Sequence, residues 1–150
     1  MSSLEIRNVS ADEPDAKELI DELSDILERV TGRSGRASFA ASDVEGPRAA
    51  FVVAYDARGP VGCGGIRPLG DDVAEVKRVY SRRRGEGVGG RILAALETRA
   101  RTLGYGRLVV ETGRPNEGAV RFYLAHGYVV RENYGRYRGR PESVCLEKEL

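Results

Sequence analysis

Apolar residues in the first third of the chain recur with a helical period. Leu19, Ile20, Leu23, Ile26, Leu27 and Val30 fall at i, i+1, i+4, i+7, i+8 and i+11. They form one stripe of a helix, because residues three and four apart share a face. Pro14 suits the first turn, Ser10 or Asp12 can cap it, and Gly32 can end it. Ahead of it, Leu4, Ile6 and Val9 alternate with polar residues and predict a short strand. Residues 32–48 are rich in Gly, Ser and Ala and read as a loop or a weak second helix.

The period then shortens. Ala49–Tyr55 reads as a buried strand, Asp56–Pro60 as a turn, and Val61–Arg67 as the returning arm of a hairpin. Glycines in that arm weaken it unless something approaches its backbone closely. Val73–Tyr80 alternates and makes a third strand of the meander. RRRGEGVGG follows, then a helix from Val88 to Leu103 with Ile92, Leu93, Leu96 and Ala100 on its apolar face. Arg107–Thr112 is a strand, and a short helix runs from Pro115 to His126 and is closed by Gly127. Tyr128–Arg131 begins another strand, and Ser143–Leu150 is the last. The order βα(α)βββαβαββ predicts an α/β fold: a mixed, mostly antiparallel sheet of about seven strands with helices on both faces. There is no repeat or linker, and residues 1–150 have the length of a single domain.

Composition narrows the function classes. Hydrophobic residues make up 41% and charged residues 31%, as in ordinary globular proteins. A net charge of +1 excludes a strong bulk field for nucleic acid or anionic membrane. No apolar run is long enough to span a bilayer, and the first residues lack the basic and apolar regions of a secretory signal. Cys63 and Cys145 are too few for a disulfide framework and lack metal-ligand spacing, so the expectation is a cytoplasmic protein with no metal. The charge is uneven. Asp12, Glu13, Asp15, Glu18, Asp21, Glu22, Asp25 and Glu28 stand against Lys17 alone. Such a stretch is either the solvated face of a helix or a wall that attracts a cationic substrate.

The sharpest chemical signal is Arg84-Gly85-Glu86-Gly87-Val88-Gly89-Gly90, between a strand and a helix. Glycines let backbone N–H groups turn toward a ligand, and a helix N-terminus adds unpaired donors and partial positive charge. This is a pyrophosphate site. Gly90-Arg91-Ile92 does not close it as a Walker loop, and the preceding antiparallel meander does not suit a dinucleotide fold.

Read as Arg84-x-x-Gly87-x-Gly89, the loop resembles the acetyl-coenzyme A loop of the GNAT superfamily of N-acetyltransferases. Two further segments are similar to that family. Glu75–Tyr80 looks like its central strand, and Asn116-x-x-Ala119-x-x-Phe122-Tyr123-x-x-x-Gly127-Tyr128 looks like its second motif. The resemblance implies a sheet splayed at the cofactor site. It implies that Val79, Tyr80 and Ser81 pair with the pantetheine arm. The amides of Arg84, Gly85, Gly87, Val88, Gly89 and Gly90 would then hold the pyrophosphate, with Asn116 touching the cofactor and Tyr123 protonating the leaving thiolate. The turn Ser81-Arg82-Arg83 is shorter than the family's usual one, which leaves the register at Ser81 open.

Acetylation of an amine needs a neutral nitrogen, and an alkylammonium must first lose a proton. Glu75 is the candidate base: it matches a general-base glutamate of some members. It also lies four residues before Val79 and so faces the same side by the period-two rule. Its other reading is a charge partner for Lys77 or Arg78, and that of Tyr123 is a packed core tyrosine. His126 reads as a helix cap and the cysteines as packing residues. Tyr134, Arg136, Tyr137, Arg138 and Arg140 form a basic aromatic loop that lines an acceptor pocket, touches the cofactor or is simply solvated. The resemblance thus implies transfer from acetyl-CoA to a small primary amine, with a cationic amine suggested by the acidic helix. The alternatives are a protein or peptide amine and a non-catalytic acyl-CoA sensor. A nucleic-acid binder is disfavoured by the charge. Homodimers are common in the family.

Overall fold

The structure is a computed structural model that describes residues 3–150. Seven strands form one sheet: β1 (Glu5–Asn8), β2 (Ala50–Asp56), β3 (Gly59–Pro68), β4 (Val73–Ser81), β5 (Arg107–Gly113), β6 (Val129–Arg131) and β7 (Ser143–Glu149). Their order is β1-β2-β3-β4-β5-β7-β6. Every neighbouring pair is antiparallel except β4 and β5. The expected mixed, mostly antiparallel α/β sheet is what forms.

The helices are α1 (Pro14–Thr31), α2 (Val88–Thr102) and α3 (Glu117–Ala125). α1 lays Ala16 and Leu19 on one face of the sheet, against Phe51, Val53 and Cys63. α2 lays Ile92, Leu93, Leu96 and Ala100 on the other, with Tyr123 of α3 and Tyr128 beside them. Gly32 ends α1 at φ 81°, its N–H donating to the Glu28 carbonyl. The start of α1 differs from expectation. Glu13 takes the capping position and no side chain caps the helix, because Ser10 instead accepts from the Asp12 N–H at 3.2 Å. Residues 32–48 form two short 3-10 turns, Arg36–Ser38 and Ala41–Val44, in place of a second α-helix.

The glycines of β3 have the expected cause. A Cβ on Gly62 would lie 2.7 Å from Ile92 Cδ1 and 2.7 Å from the Tyr80 carbonyl oxygen. Removing that Cβ lets α2 settle onto β3, which fixes where the helix starts and so where its open N-terminus points.

Candidate active site

β4 and β5 pair only over Val73↔Arg107, Ala74↔Leu108 and Glu75↔Val109. Past Glu75 the two strands part: β4 continues to Ser81 beside β3 and β5 to Gly113 beside β7. The edge each turns toward the other is left without a strand partner, so a V-shaped opening splits the sheet. Two continuous spaces meet there. A 620 Å³ groove runs from Val79, Tyr80 and Ser81 past Arg84 to Gly89, floored by Phe122 and Tyr123. A 130 Å³ cavity fills the crotch, between Lys77, Arg78 and Val79 on β4 and Val110, Glu111 and Thr112 on β5. Asn116, Ala119 and Tyr123 line both.

The groove ends at α2, which has no side-chain cap. Gly87 holds the capping position at φ 76° and Gly85 lies at φ 75°, and a Cβ on either would meet no protein atom. Their left-handed backbone, not crowding, is what asks for glycine. Gly89 and Gly90 differ: a Cβ there would come within 3.2 Å of Phe122 Cε1 and 2.8 Å of His126 Nε2, so they let α3 lie close. Of the arginine run, Arg82 is tied to Glu22 and Glu18, and Arg83 lies 3.7 Å from Asp56. Arg84 is exposed and pairs with no carboxylate among the described residues. An uncapped helix start, two left-handed glycines and a free guanidinium fit a pyrophosphate. The donor set therefore suits coenzyme A. Ser81 ends the ladder opposite Gly62, and its hydroxyl bonds both the Arg83 N–H and the Arg83 carbonyl at 3.0 Å, which braces the short turn.

Tyr123 is buried, and desolvation pushes its phenol well above the usual range. Its hydroxyl makes no hydrogen bond among the described residues. Asn116 caps α3 by accepting from the Ala119 N–H at 3.3 Å, and it lines both openings.

The shared face expected for Glu75 and Val79 is not present. Lys77 pairs with Gly65 and Tyr80 with Cys63, so Arg78 and Val79 together oppose Gly64. This is a β-bulge, with Arg78 left-handed at φ 59°. It reverses the alternation. Val79 points to the α2 face, 3.1 Å from where a Gly64 Cβ would lie, whereas Glu75 points to the opposite face. There Glu75 receives Arg67 Nη1 at 3.0 Å and the Tyr134 hydroxyl at 2.6 Å, and Lys77 Nζ stands 4.0 Å away. It is buried and lines neither space. The charge-partner reading of Glu75 describes this geometry, with Arg67 as the main partner.

Two site residues were not singled out from the sequence. Arg78 is buried, donates to Ser24 Oγ at 3.0 Å and the Ser34 carbonyl at 3.3 Å, and leaves Nη2 without a partner. The signal was available: Lys77 and Arg78 are consecutive charges in an otherwise alternating strand. Glu111 lines the crotch and gave no signal beyond its place in RLVVET. His126 ends α3, its Nδ1 2.7 Å from the Phe122 carbonyl oxygen. Cys63 and Cys145 are buried and unpaired, and burial pushes the Cys63 thiol up to about 12, far from a nucleophile.

The same fold occurs in solved acyltransferases. A Klebsiella pneumoniae protein solved as an acyl-CoA N-acyltransferase has this fold at a TM-score of 0.82 and 28% identity, covering 100% of this chain and 98% of its own. The PaiA N-acetyltransferase of Thermoplasma acidophilum, solved with coenzyme A, matches at 0.76 and 18% identity over 99% of both chains. In sequence, the Azospirillum brasilense IAA acetyltransferase is 34% identical over 107 residues, 69% of this chain and 70% of that protein. The model of the acetyltransferase (GNAT) family matches residues 16–128. The chain belongs to the GNAT family and is an acetyl-CoA-dependent acetyltransferase.

Proposed function

We propose that the chain transfers an acetyl group to the primary amine of a small molecule. The observation that carries this reading is the split between β4 and β5, lined by Tyr123 and Asn116 and leading to the uncapped start of α2. When bound, acetyl-CoA supplies an activated thioester. The chain supplies the rest. The amides of Arg84, Gly85, Gly87, Val88, Gly89 and Gly90, with the Arg84 guanidinium, receive the pyrophosphate. The free edge of β4 at Val79, Tyr80 and Ser81 orders the pantetheine arm and offers an N–H to the carbonyl oxygen as charge develops on it. Asn116 steadies the arm through its amide. Tyr123, whose high pKa keeps it protonated at neutral pH, gives its proton to the departing sulfur. Holding both reactants in the split supplies much of the rate. Glu75 enters as a positioning residue that fixes Tyr134, Arg67 and Lys77, because it lines neither space.

A small acceptor fits the space beyond the crotch, a 180 Å³ pocket between Thr31, Ser38 and Tyr137. Of the eight carboxylates behind the expectation of a cationic acceptor, five are engaged within the protein. Asp15 accepts from the Tyr55 hydroxyl, Glu18 and Glu22 hold Arg82, and Asp21 and Asp25 lie against Arg36. A reducing cytoplasmic setting accords with two unpaired buried cysteines. Self-association is a further proposal. It would use the edge strand β6, where Val129 and Val130 are exposed, and sizing of Val130→Lys tests it.

The test of the main reading is release of free thiol from acetyl-CoA across a panel of amines, amino acids, aminoglycosides and peptides, with the acetylated product identified by mass. Turnover of a small amine is the expected result. Turnover of peptides alone would instead make the acceptor a protein or peptide amine.

A further inference from the structure

The crotch and the pocket beyond it adjoin, for Leu27, Gly35, Ser38, Glu111 and Thr112 line both. Its charges are lopsided. Arg33, Arg136 and Arg140 stand around the outer pocket. Lys77 and Arg78 line the inner cavity. The one carboxylate among the lining residues is Glu111. Arg33 has an exposed partner, Glu142, at 3.6 Å. Arg136 reaches only the Ala37 carbonyl at 3.4 Å, and Arg140 pairs with no carboxylate among the described residues. Beneath them Arg78 is 9% exposed, meets only neutral acceptors, and keeps Nη2 unsatisfied below Gly35, 3.3 Å from where a Gly35 Cβ would lie. The Phe39 ring lies 5.2 Å from this guanidinium, but a buried guanidinium with no carboxylate in contact remains costly and is relieved by an anion brought to the same space.

We propose that the acceptor is an amine that also carries an anionic oxygen group, a carboxylate or a phosphonate, and that Glu111 is the group its nitrogen meets. This rests on the reading of the chain as an amine acetyltransferase. Ser143 donates to Glu111 Oε2 at 2.7 Å, fixing the carboxylate, while Oε1 has no hydrogen-bond partner among the described residues. Glu111 is only partly buried and lies at the junction of the two spaces. The groups that face it are Lys77 from β4, Tyr137 from the 3-10 turn Gly135–Tyr137 and Cys145 across the ladder on β7. Arg136 and Arg140 share its pocket. A zwitterion satisfies both ends: its ammonium docks on Glu111 and its oxyanion on Arg136 and Arg140, with Arg78 raising the potential from below.

The step balances without any other reactant. The ammonium passes a proton to Glu111 and on to water. The nitrogen bonds to the acetyl carbon as the carbon–sulfur bond breaks. The thiolate takes the Tyr123 proton, and the second proton shed by the acylated nitrogen returns through water to the Tyr123 oxygen, leaving an amide, free thiol and the phenol restored.

The experiment uses matched acceptors: an amino acid, its carboxamide, the amine left by decarboxylation, and the aminoalkyl phosphonate of the same side chain. An oxyanion should raise kcat/KM by about 10–100-fold over the carboxamide, the range of a charge-assisted hydrogen bond, mostly through KM. Arg136→Ala with Arg140→Ala should shrink that ratio. Glu111→Gln should lower kcat and move the rise in rate to higher pH, where the amine deprotonates in solution, and Glu111→Asp should restore part of it. Preference for carboxylate over phosphonate, or the reverse, supports the proposal and names the oxyanion. Equal or better use of the carboxamide or decarboxylated amine overturns it. Calorimetric binding of the amino acid and its carboxamide to the protein with coenzyme A makes the same comparison without turnover. Failure of the charge preference and failure of the acetyltransferase reading are thereby told apart.

Discussion

Tyr123 and Glu75 are both buried, and their surroundings give them opposite fates. The Tyr123 hydroxyl is left without a partner at the meeting of groove and crotch, while both oxygens of Glu75 are engaged. Tyr123→Phe should therefore keep the fold and lower kcat by about 10²–10⁴-fold, the usual cost of losing a positioned acid, with little change in KM. Near-normal kcat would make water the acid. Glu75→Gln should act on stability. It breaks a buried pair with Arg67 and the bond from Tyr134, so the melting temperature should drop, while the pH at which the rate rises stays where it was. A rate rise displaced to higher pH would restore Glu75 as the base. From sequence the place of Tyr123 beside the split was legible, since a motif carries it. The facing of Glu75 was not, because the period-two rule assumes an unbroken strand and the bulge at Arg78 inverts it. Glu111 was hidden for a related reason: the chemistry of a strand carboxylate depends on where the neighbouring strand stops pairing, which no local pattern encodes.

Among elements, the most consequential tie is between α1 and the end of β4. Glu22 receives Arg82 Nε at 2.9 Å and the Tyr80 hydroxyl at 3.0 Å, so the acidic helix holds the strand that leads into the glycine loop. The bond from Arg82, with a smaller one from Tyr80, holds the Glu22 carboxyl below its usual value of 4.5. A depressed carboxylate stabilises the fold above that value, and the contribution is lost as pH falls through the lower folded value. Glu22 is partly exposed, so solvent screens the effect. Acidification below about 4.5 should loosen the loop before the core melts, seen as weaker acetyl-CoA binding at unchanged far-ultraviolet dichroism. In Glu22→Gln the weakening should already be present at neutral pH. The loop has its own constraint. At Gly87 a residue with a Cβ must adopt φ 76°, at a cost of about 1–2 kcal/mol. Gly87→Val should thus raise the acetyl-CoA dissociation constant without unfolding the chain, and equal affinity by calorimetry would remove the loop from the site. The elements themselves were readable because α1, α2 and the meander strands have long, clean periods. The stretch 32–48 was not, as its small residues favour no period and its two 3-10 turns take shape only against α1 and β3.

At the scale of the whole molecule a net charge of +1 conceals how charge is distributed. Four carboxylates of α1, Glu18, Asp21, Glu22 and Asp25, lie against Arg36 or Arg82, which weakens the field they project into the split sheet. Apart from Glu111, what remains unpaired around the openings is basic: Arg84 at the cofactor end and Arg136 and Arg140 at the other. Anionic reactants should therefore be drawn to both mouths, the polyanionic acetyl-CoA most strongly. The screening length is about 10 Å at 0.1 M salt and about 30 Å at 0.01 M, so the attraction should be largest in dilute buffer. The specificity constant for acetyl-CoA should fall as salt rises, through a slower association, while kcat stays nearly flat, because contacts inside the closed split are short and poorly screened. Arg84→Gln should flatten that dependence. The same substitution should leave the salt dependence for the acceptor alone, since Arg84 lines the groove and not the pocket. Parallel loss at both mouths would mean that the two ends share one diffuse field, and a specificity constant indifferent to salt would mean that neither is steered.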